Sequence, residues 1–221
     1  MYQAEREEQR RVRPEMSMTQ VICADISQLT SLEYQALYER ASEERRIRAD
    51  RYRRREDSLR CVAADALLRH ALGTEDYVVE KHRDGKPFIR GRADFHYNLS
   101  HAGSWVVIAF GDSEVGVDVE VPRTDTHIEA IAERYFTADE QRYLLEAEKE
   151  LMQRFLEIWT GKESYLKYLG TGLKKALTSF SVLSLEPELR LHHRVLPDDS
   201  CLCLCTTDTD PVFSMLDLGL L

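Results

Sequence analysis

Residues 115–122 read VGVDVEVP, and the organisation of the chain follows from what lies on either side of them. In an extended chain the side chains alternate, so Val117, Val119 and Val121 share one side of a strand while Asp118 and Glu120 share the other. Upstream, VICADIS (21–27) has strand character, and helical spacing of Leu32, Ala36 and Leu37 starts at Ser31. A second helix is predicted over 57–72, with Leu59, Val62, Ala63, Ala66, Leu67 and Ala71 inward and Gly73 as its stop. Short strands come next: YVVEKH (77–82), PFIR (87–90), DFHYNLS (94–100) and WVVIAF (105–110), with turns at Asp84-Gly85 and Gly111-Asp112. Downstream of Pro122 the order repeats. The tetrapeptide T-A-D-E at 137–140 is a capping box, helices are predicted over 138–149 and 151–169, and Gly170 closes the second. Strands return as LTSFSVLSL (177–185), LRLHHRV (189–195) and SCLCLCTT (200–207). Helices then strands, twice over, give an α+β fold. Its two similarly built halves, 19–122 and 123–221, follow a polar leader over 1–18. Ligand sites favour such junctions.

The 221 residues are 43% hydrophobic and 31% charged, enough for a packed core and unlike a collagenous or disordered chain. No run approaches the roughly 18 apolar residues of a membrane span. The N-terminal MYQAEREEQRRVRPEMSMT carries charges where an export signal needs an apolar stretch, so a soluble cytoplasmic protein is expected. Thirty basic against thirty-nine acidic residues leave a net charge of −9, which repels a polyanion such as duplex DNA. Five cysteines, an odd number, suit the reducing cytosol. Cys201, Cys203 and Cys205 share one face of their strand. Without CxxC or Cys/His spacing they read as small buried apolar groups in preference to a soft-metal site.

Four groups of residues could carry chemistry. Asp118 and Glu120 crowd two carboxylates onto one strand face, which either a divalent cation or plain water can relieve. In FLEIWTGKESYLKYLG (155–170) the apolar stripe is Phe155, Ile158, Trp159, Leu166 and Leu169, and Glu163 and Lys167 are one turn apart beside it. Lys162 falls inside that stripe, where it either snorkels or lines an anion site. Asn98, Ser100 and His101 end a strand; with no GxSxG elbow they make a phosphate contact or simple turn chemistry. Arg45, Arg46, Arg48, Arg51, Arg53, Arg54, Arg55 and Arg60 form the one strongly basic stretch, suited to phosphate or to a solvated face. Gly170-Thr171-Gly172 follows a helix instead of opening one, and so reads as a C-cap.

Taken in order, GKPFI, FHYNLSHAGSW, GVDVE, RYFTADE and WTGKESYLKYLGTGL resemble the surfactin-synthetase-type 4′-phosphopantetheinyl transferases over about residues 45–182. That resemblance implies a pseudo-twofold pair of α+β halves with the active site at their junction. It implies transfer of the phosphopantetheine arm of coenzyme A to a serine of an apo acyl or peptidyl carrier protein, with release of 3′,5′-ADP. The family's Mg²⁺-binding acids fall on Asp118, Glu120 and Glu163, and its catalytic pair on Glu163 and Lys167. Coenzyme-binding positions fall on Lys86, Ser100, His101 and Arg60, while Arg45, Arg46 and Arg48 compete for two more, with Arg45 and Arg48 preferred. Ala102 and Ala176 stand where many members carry Ser and Pro. A monomer with neither nucleic-acid nor membrane partner is expected. Two other classes remain beside it. One is a coenzyme A or nucleotide-binding regulatory protein on the same fold without turnover. The other is an RNA-binding module on the arginine run, which lacks the interleaved aromatics that stack bases.

Overall fold

Residues 105–111, WVVIAFG, are buried on both faces of their strand, and with the neighbouring strand over 20–25 they separate two apolar cores. The structure is a computed structural model that describes residues 18–146 and 150–221. The expected leader, except Met18, and the last turn of the helix expected over 138–149 lie outside the described residues.

The first sheet contains β1 (Gln20–Asp25), β4 (His96–Ala102), β5 (Trp105–Gly111) and β9 (Val212–Met215), in the order β4-β5-β1-β9. A separate hairpin joins β2 (Val79–Lys81) to β3 (Pro87–Ile89). On one face of the first sheet Val106, Ile108 and Phe110 pack against α3 (Arg55–Leu72), whose Val62, Ala63, Ala66 and Leu67 are inward as the spacing predicts. Helices α1 (Ser31–Arg40) and α2 (Glu43–Asp50) flank α3. The other face, with Val107 and Ala109, meets the second sheet, formed by β6 (Gly116–Glu120), β8 (Cys201–Thr206) and β7 (Arg190–Val195) in the order β6-β8-β7. Val117, Val119, Leu202 and Leu204 face that shared core. Each such side chain, fully buried, stabilises by about 1.5–3 kcal/mol.

Asp118 is in register with Cys203 and Glu120 with Cys201, so the acids and the buried cysteines point away from that core, towards α6 (Leu151–Leu169). Helices α4 (Ile128–Tyr135) and α5 (Ala138–Leu145) pack beside α6. Gly73 and Gly170 close α3 and α6 in the left-handed region, at φ 64° and 68°. Gly116 has a different task. A Cβ there would lie 2.0 Å from the Ser164 carbonyl oxygen and 2.3 Å from the Tyr168 nitrogen, so β6 rests directly on the backbone of α6. That contact sets the distance between the acidic strand and the helix that carries Glu163 and Lys167.

Three findings depart from the sequence reading. Residues 177–185 do not form a strand; they make a 3-10 turn at Leu177–Ser179 and a loop. The cause is a buried ion pair. Glu140 and Lys162, both fully buried, lie 2.7 Å apart; Lys162 Nζ donates to the carbonyls of Leu177 and Phe180 at 2.8 Å, and Glu140 Oε1 accepts from the Val182 amide at 2.8 Å. The segment's polar backbone is satisfied by side chains, so it needs no ladder. Lys162 therefore neither snorkels nor lines an anion site. Second, α2 and α4 form where no helix was read. Third, β9 pairs in parallel with β1, and Leu218 is buried in the α3 core, so the chain's end returns to the first sheet. Among the described residues no helix is long and apolar enough to cross a membrane.

Candidate functional site

Where β4, β6 and α6 converge, a lysine, a serine and an aspartate lock together. Lys167 Nζ donates to Asp118 Oδ1 at 2.6 Å, to Ser100 Oγ at 3.0 Å and to the Val117 carbonyl at 3.1 Å. Ser100 Oγ donates to Asp118 Oδ1 at 2.9 Å. The side chain of Asn98 accepts from the Val117 amide at 2.9 Å, which ties β4 to β6 beside this cluster. The ion pair of Lys167 is thus with Asp118 on another element, and not with its helical neighbour Glu163.

Asp118 Oδ2 is buried and has no hydrogen-bond partner among the described residues. Burial, and then the charge of Asp118, push the carboxyls of Glu120 and Glu163 above the ordinary range. Three carboxyl groups thus share one lysine and leave an orphaned buried oxygen. Such an all-oxygen donor set fits a hard divalent cation. In their present rotamers no three acidic, histidine or cysteine side chains among the described residues enclose an ion, and Lys167 holds the place beside Asp118 Oδ1.

Next to the cluster is a basic cavity of about 260 Å³, lined by Arg45, Arg48, Tyr52, Arg60, Leu99 and His101. Arg60 is held by the Gly103 carbonyl at 2.8 Å and by Asp57 at 2.6 Å, and Arg48 donates to the Tyr52 hydroxyl at 3.3 Å. Arg45 lies 3.6 Å from the buried Asp65. Arg46 turns away, to the Glu39 carbonyl at 3.0 Å. Of the three competing arginines the structure brings Arg45 and Arg48 to the cavity. Desolvation, and then the Arg60 charge, lower the basicity of His101, with Lys167 adding to the effect, and the imidazole lines the basic cavity.

A second cavity, of about 340 Å³, opens on the other side of the cluster between Lys86, Pro87, Asn98, Glu163, Leu166 and Lys167. The Lys86 ammonium reaches Glu114 and, at 3.0 Å each, the carbonyls of Val115 and Tyr168. No sequence signal marked Glu114, which is distant along the chain from Lys86. The five cysteines are free and buried, which for Cys201, Cys203 and Cys205 is what their spacing indicated. Chemically, the site sets a cationic cavity and a mixed cavity on either side of an acid–lysine cluster, an arrangement that can hold a polyphosphate by its end and neutralise charge at its middle.

Residues 114–210 match the family model of the 4′-phosphopantetheinyl transferase superfamily. The chain is 38% identical over 182 residues to 4′-phosphopantetheinyl transferase psf-1 of Bacillus pumilus, which spans 78% of this chain and 76% of that protein. It is 34% identical over 187 residues to 4′-phosphopantetheinyl transferase Sfp of Bacillus subtilis (strain 168), covering 79% of this chain and 80% of that one. It is 31% identical over 173 residues to 4′-phosphopantetheinyl transferase HetI of Nostoc sp., covering 70% and 73%.

Proposed function

This chain belongs to the 4′-phosphopantetheinyl transferase superfamily, and from that premise we propose how its own residues perform the transfer. The enzyme moves the phosphopantetheine arm to a carrier protein. The donor is coenzyme A, the acceptor a serine of an apo acyl or peptidyl carrier protein, and the other product 3′,5′-ADP. The observation that carries this reading is the Lys167–Asp118–Ser100 cluster with its orphaned Asp118 Oδ2, set between two cavities.

Arg45, Arg48, Arg60 and His101 grip the 3′-phosphoadenosine end, which supplies orientation and affinity more than rate. Lys86 and Pro87 wall the second cavity. The serine oxygen attacks the phosphorus next to the pantetheine. A new P–O bond forms to the serine, the bond to the adenosine-side phosphate breaks, and the electron pair leaves with 3′,5′-ADP. Glu163 accepts the serine proton directly or through a water. Lys167 stabilises charge that grows on the phosphate oxygens in the transition state. Asp118, Glu120 and Glu163 would hold Mg²⁺, which supplies Lewis-acid neutralisation of the pyrophosphate when bound. Ser100 orients the Asp118 carboxylate.

We read α3 on the first sheet and α6 on the second as halves related by a pseudo-twofold, with the active site at their junction; the sheets do not divide at residue 122, because β6 before it belongs to the second sheet and β9 after it returns to the first. The enzyme acts as a cytoplasmic monomer, without nucleic acid or membrane. The test is chromatography of 3′,5′-ADP released from coenzyme A with an apo carrier protein. The expected result is release in proportion to carrier modified and none in chelator; release without carrier would overturn the reading.

A further inference from the structure

Lys86 looks like a phosphate ligand in sequence, but its ammonium has three protons and three protein acceptors: Glu114, the Val115 carbonyl and the Tyr168 carbonyl. Its side chain is only 10% exposed, and its stem packs on the turn after α6, where a Cβ on Gly170 would lie 3.1 Å from Lys86 Cδ. The Tyr168 carbonyl belongs to the last turn of α6, where carbonyls lack helical partners and the helix dipole favours a cation. Glu114 in turn is held from its other oxygen by His96 Nδ1 at 3.0 Å. Burial pushes the Glu114 carboxyl up, but Lys86 and then His96 outweigh it and hold the group below its ordinary range.

We infer that Glu114 is a positioning residue for the transfer reaction: through Lys86 it fixes the 84–87 turn against the C-terminal end of α6 and so sets the width of the second cavity, which takes the pyrophosphate end of coenzyme A beside Glu163 and Lys167. This rests on the function proposed above. The turn supplies Asp84, Gly85, Lys86 and Pro87 to one wall of that cavity, and α6 supplies Glu163, Leu166 and Lys167 to the other. One ammonium joins the two walls. Lys86 then acts by holding the cavity closed to its proper size and has no donor left for a phosphate.

The two roles for Lys86 predict opposite signs at Glu114. If Lys86 met the coenzyme's phosphate directly, Glu114 would compete for its charge, and Glu114→Ala would tighten coenzyme A. If the pair is a staple, Glu114→Ala lets the turn drift and loosens it. The experiment is steady-state kinetics and thermal melting of wild type, Glu114→Ala, Glu114→Gln, Lys86→Met and the double variant Glu114→Ala/Lys86→Met. The staple predicts that Glu114→Ala raises the KM for coenzyme A by about fivefold to tenfold, with kcat within about twofold and carrier KM unchanged. Glu114→Gln, which still accepts a hydrogen bond, should recover part of the loss, and the double variant should be no worse than Lys86→Met. An unchanged or lowered coenzyme KM in Glu114→Ala, or additive losses in the double variant, would overturn it. If wild-type protein neither binds coenzyme A nor transfers, the proposed function fails. The staple is then decided by the melting temperatures: sub-additive losses support it and additive ones overturn it.

Discussion

Lys167→Ala should destabilise the protein more than Asp118→Asn does, although the two side chains form one ion pair. Lys167 is 28% exposed and Asp118 7%. Without the lysine, Asp118 is left in its buried place with one hydroxyl donor, from Ser100, and an oxygen that already has none. Without the charge on Asp118, the flexible lysine can swing its ammonium to water. Breaking a pair costs about 3–5 kcal/mol when it is fully buried and about 0.2–1 kcal/mol when exposed. This half-covered pair lies between, so Lys167→Ala should cost about 2 kcal/mol and Asp118→Asn under about 1 kcal/mol. For a chain of this size the first figure is a Tm drop of about 4–8 °C. Mg²⁺ should recover part of the Lys167→Ala loss, because a cation binding only the folded state raises its stability. Both variants should lose kcat by orders of magnitude, since Lys167 acts on the reacting phosphate and Asp118 would hold the metal that neutralises it. The assay is thermal unfolding with and without Mg²⁺, alongside steady-state kinetics. Wild-type Tm and kcat in Lys167→Ala, or a larger Tm loss in Asp118→Asn, would refute the reasoning.

Other expectations follow from the same geometry. Gly116→Ala must push α6 off β6, because a methyl cannot sit 2.0 Å from a backbone oxygen; a loss above about 3 kcal/mol in denaturant unfolding is expected, and a near-native midpoint would contradict the contact. Arg60→Ala and His101→Ala should weaken coenzyme A binding more than dephospho-coenzyme A binding in calorimetry; equal losses would place them away from the 3′-phosphate. Burial holds the His193 imidazole below its ordinary range, so the unfolded chain takes up a proton first as pH falls through about 6.5. Its contribution to stability is complete above that pH and is lost below it; His193→Gln should therefore melt with a smaller decline between about pH 7.5 and 5.5, and an equal decline would remove His193 from the acid response. Burial pushes the thiols of Cys23 and Cys205 up to about 12 and that of Cys201 to about 11, so a thiol reagent should label the native protein slowly and the denatured protein at once; rapid native labelling would contradict the buried strand.

What could be read in the sequence was what depends on local pattern. The alternation of 116–121 placed Asp118 and Glu120 on one face, the stripe from Phe155 to Leu166 placed α6, and Gly73 and Gly170 stopped their helices. The spacing of Ile128, Ile131, Ala132 and Tyr135 also carried α4, but it lay hidden behind the turn-like residues before it. What failed was non-local. Residues 177–185 have a strand-like mix of apolar and small polar residues, yet Glu140 and Lys162, both outside the segment, took up their backbone groups. Nothing near Lys167 reveals that its partner is Asp118, because the pairing exists only once Gly116 lets β6 lie against α6. The four residues of β9 pair with β1 across nearly the whole chain, beyond any window of periodicity. Among Arg45, Arg46 and Arg48 the sequence left a choice that the rotation of α2 makes, by aiming Arg46 at Glu39.

The central claim is that this acid–lysine cluster transfers a phosphopantetheine arm. Its most direct test is intact-mass measurement of an apo carrier protein incubated with this protein, coenzyme A and Mg²⁺. A mass increase of one phosphopantetheine per carrier is predicted, absent in chelator, absent with Asp118→Asn, and absent on a carrier whose acceptor serine is replaced by alanine. An unmodified carrier with folded wild-type protein and saturating Mg²⁺, or undiminished modification by Asp118→Asn, would contradict the account.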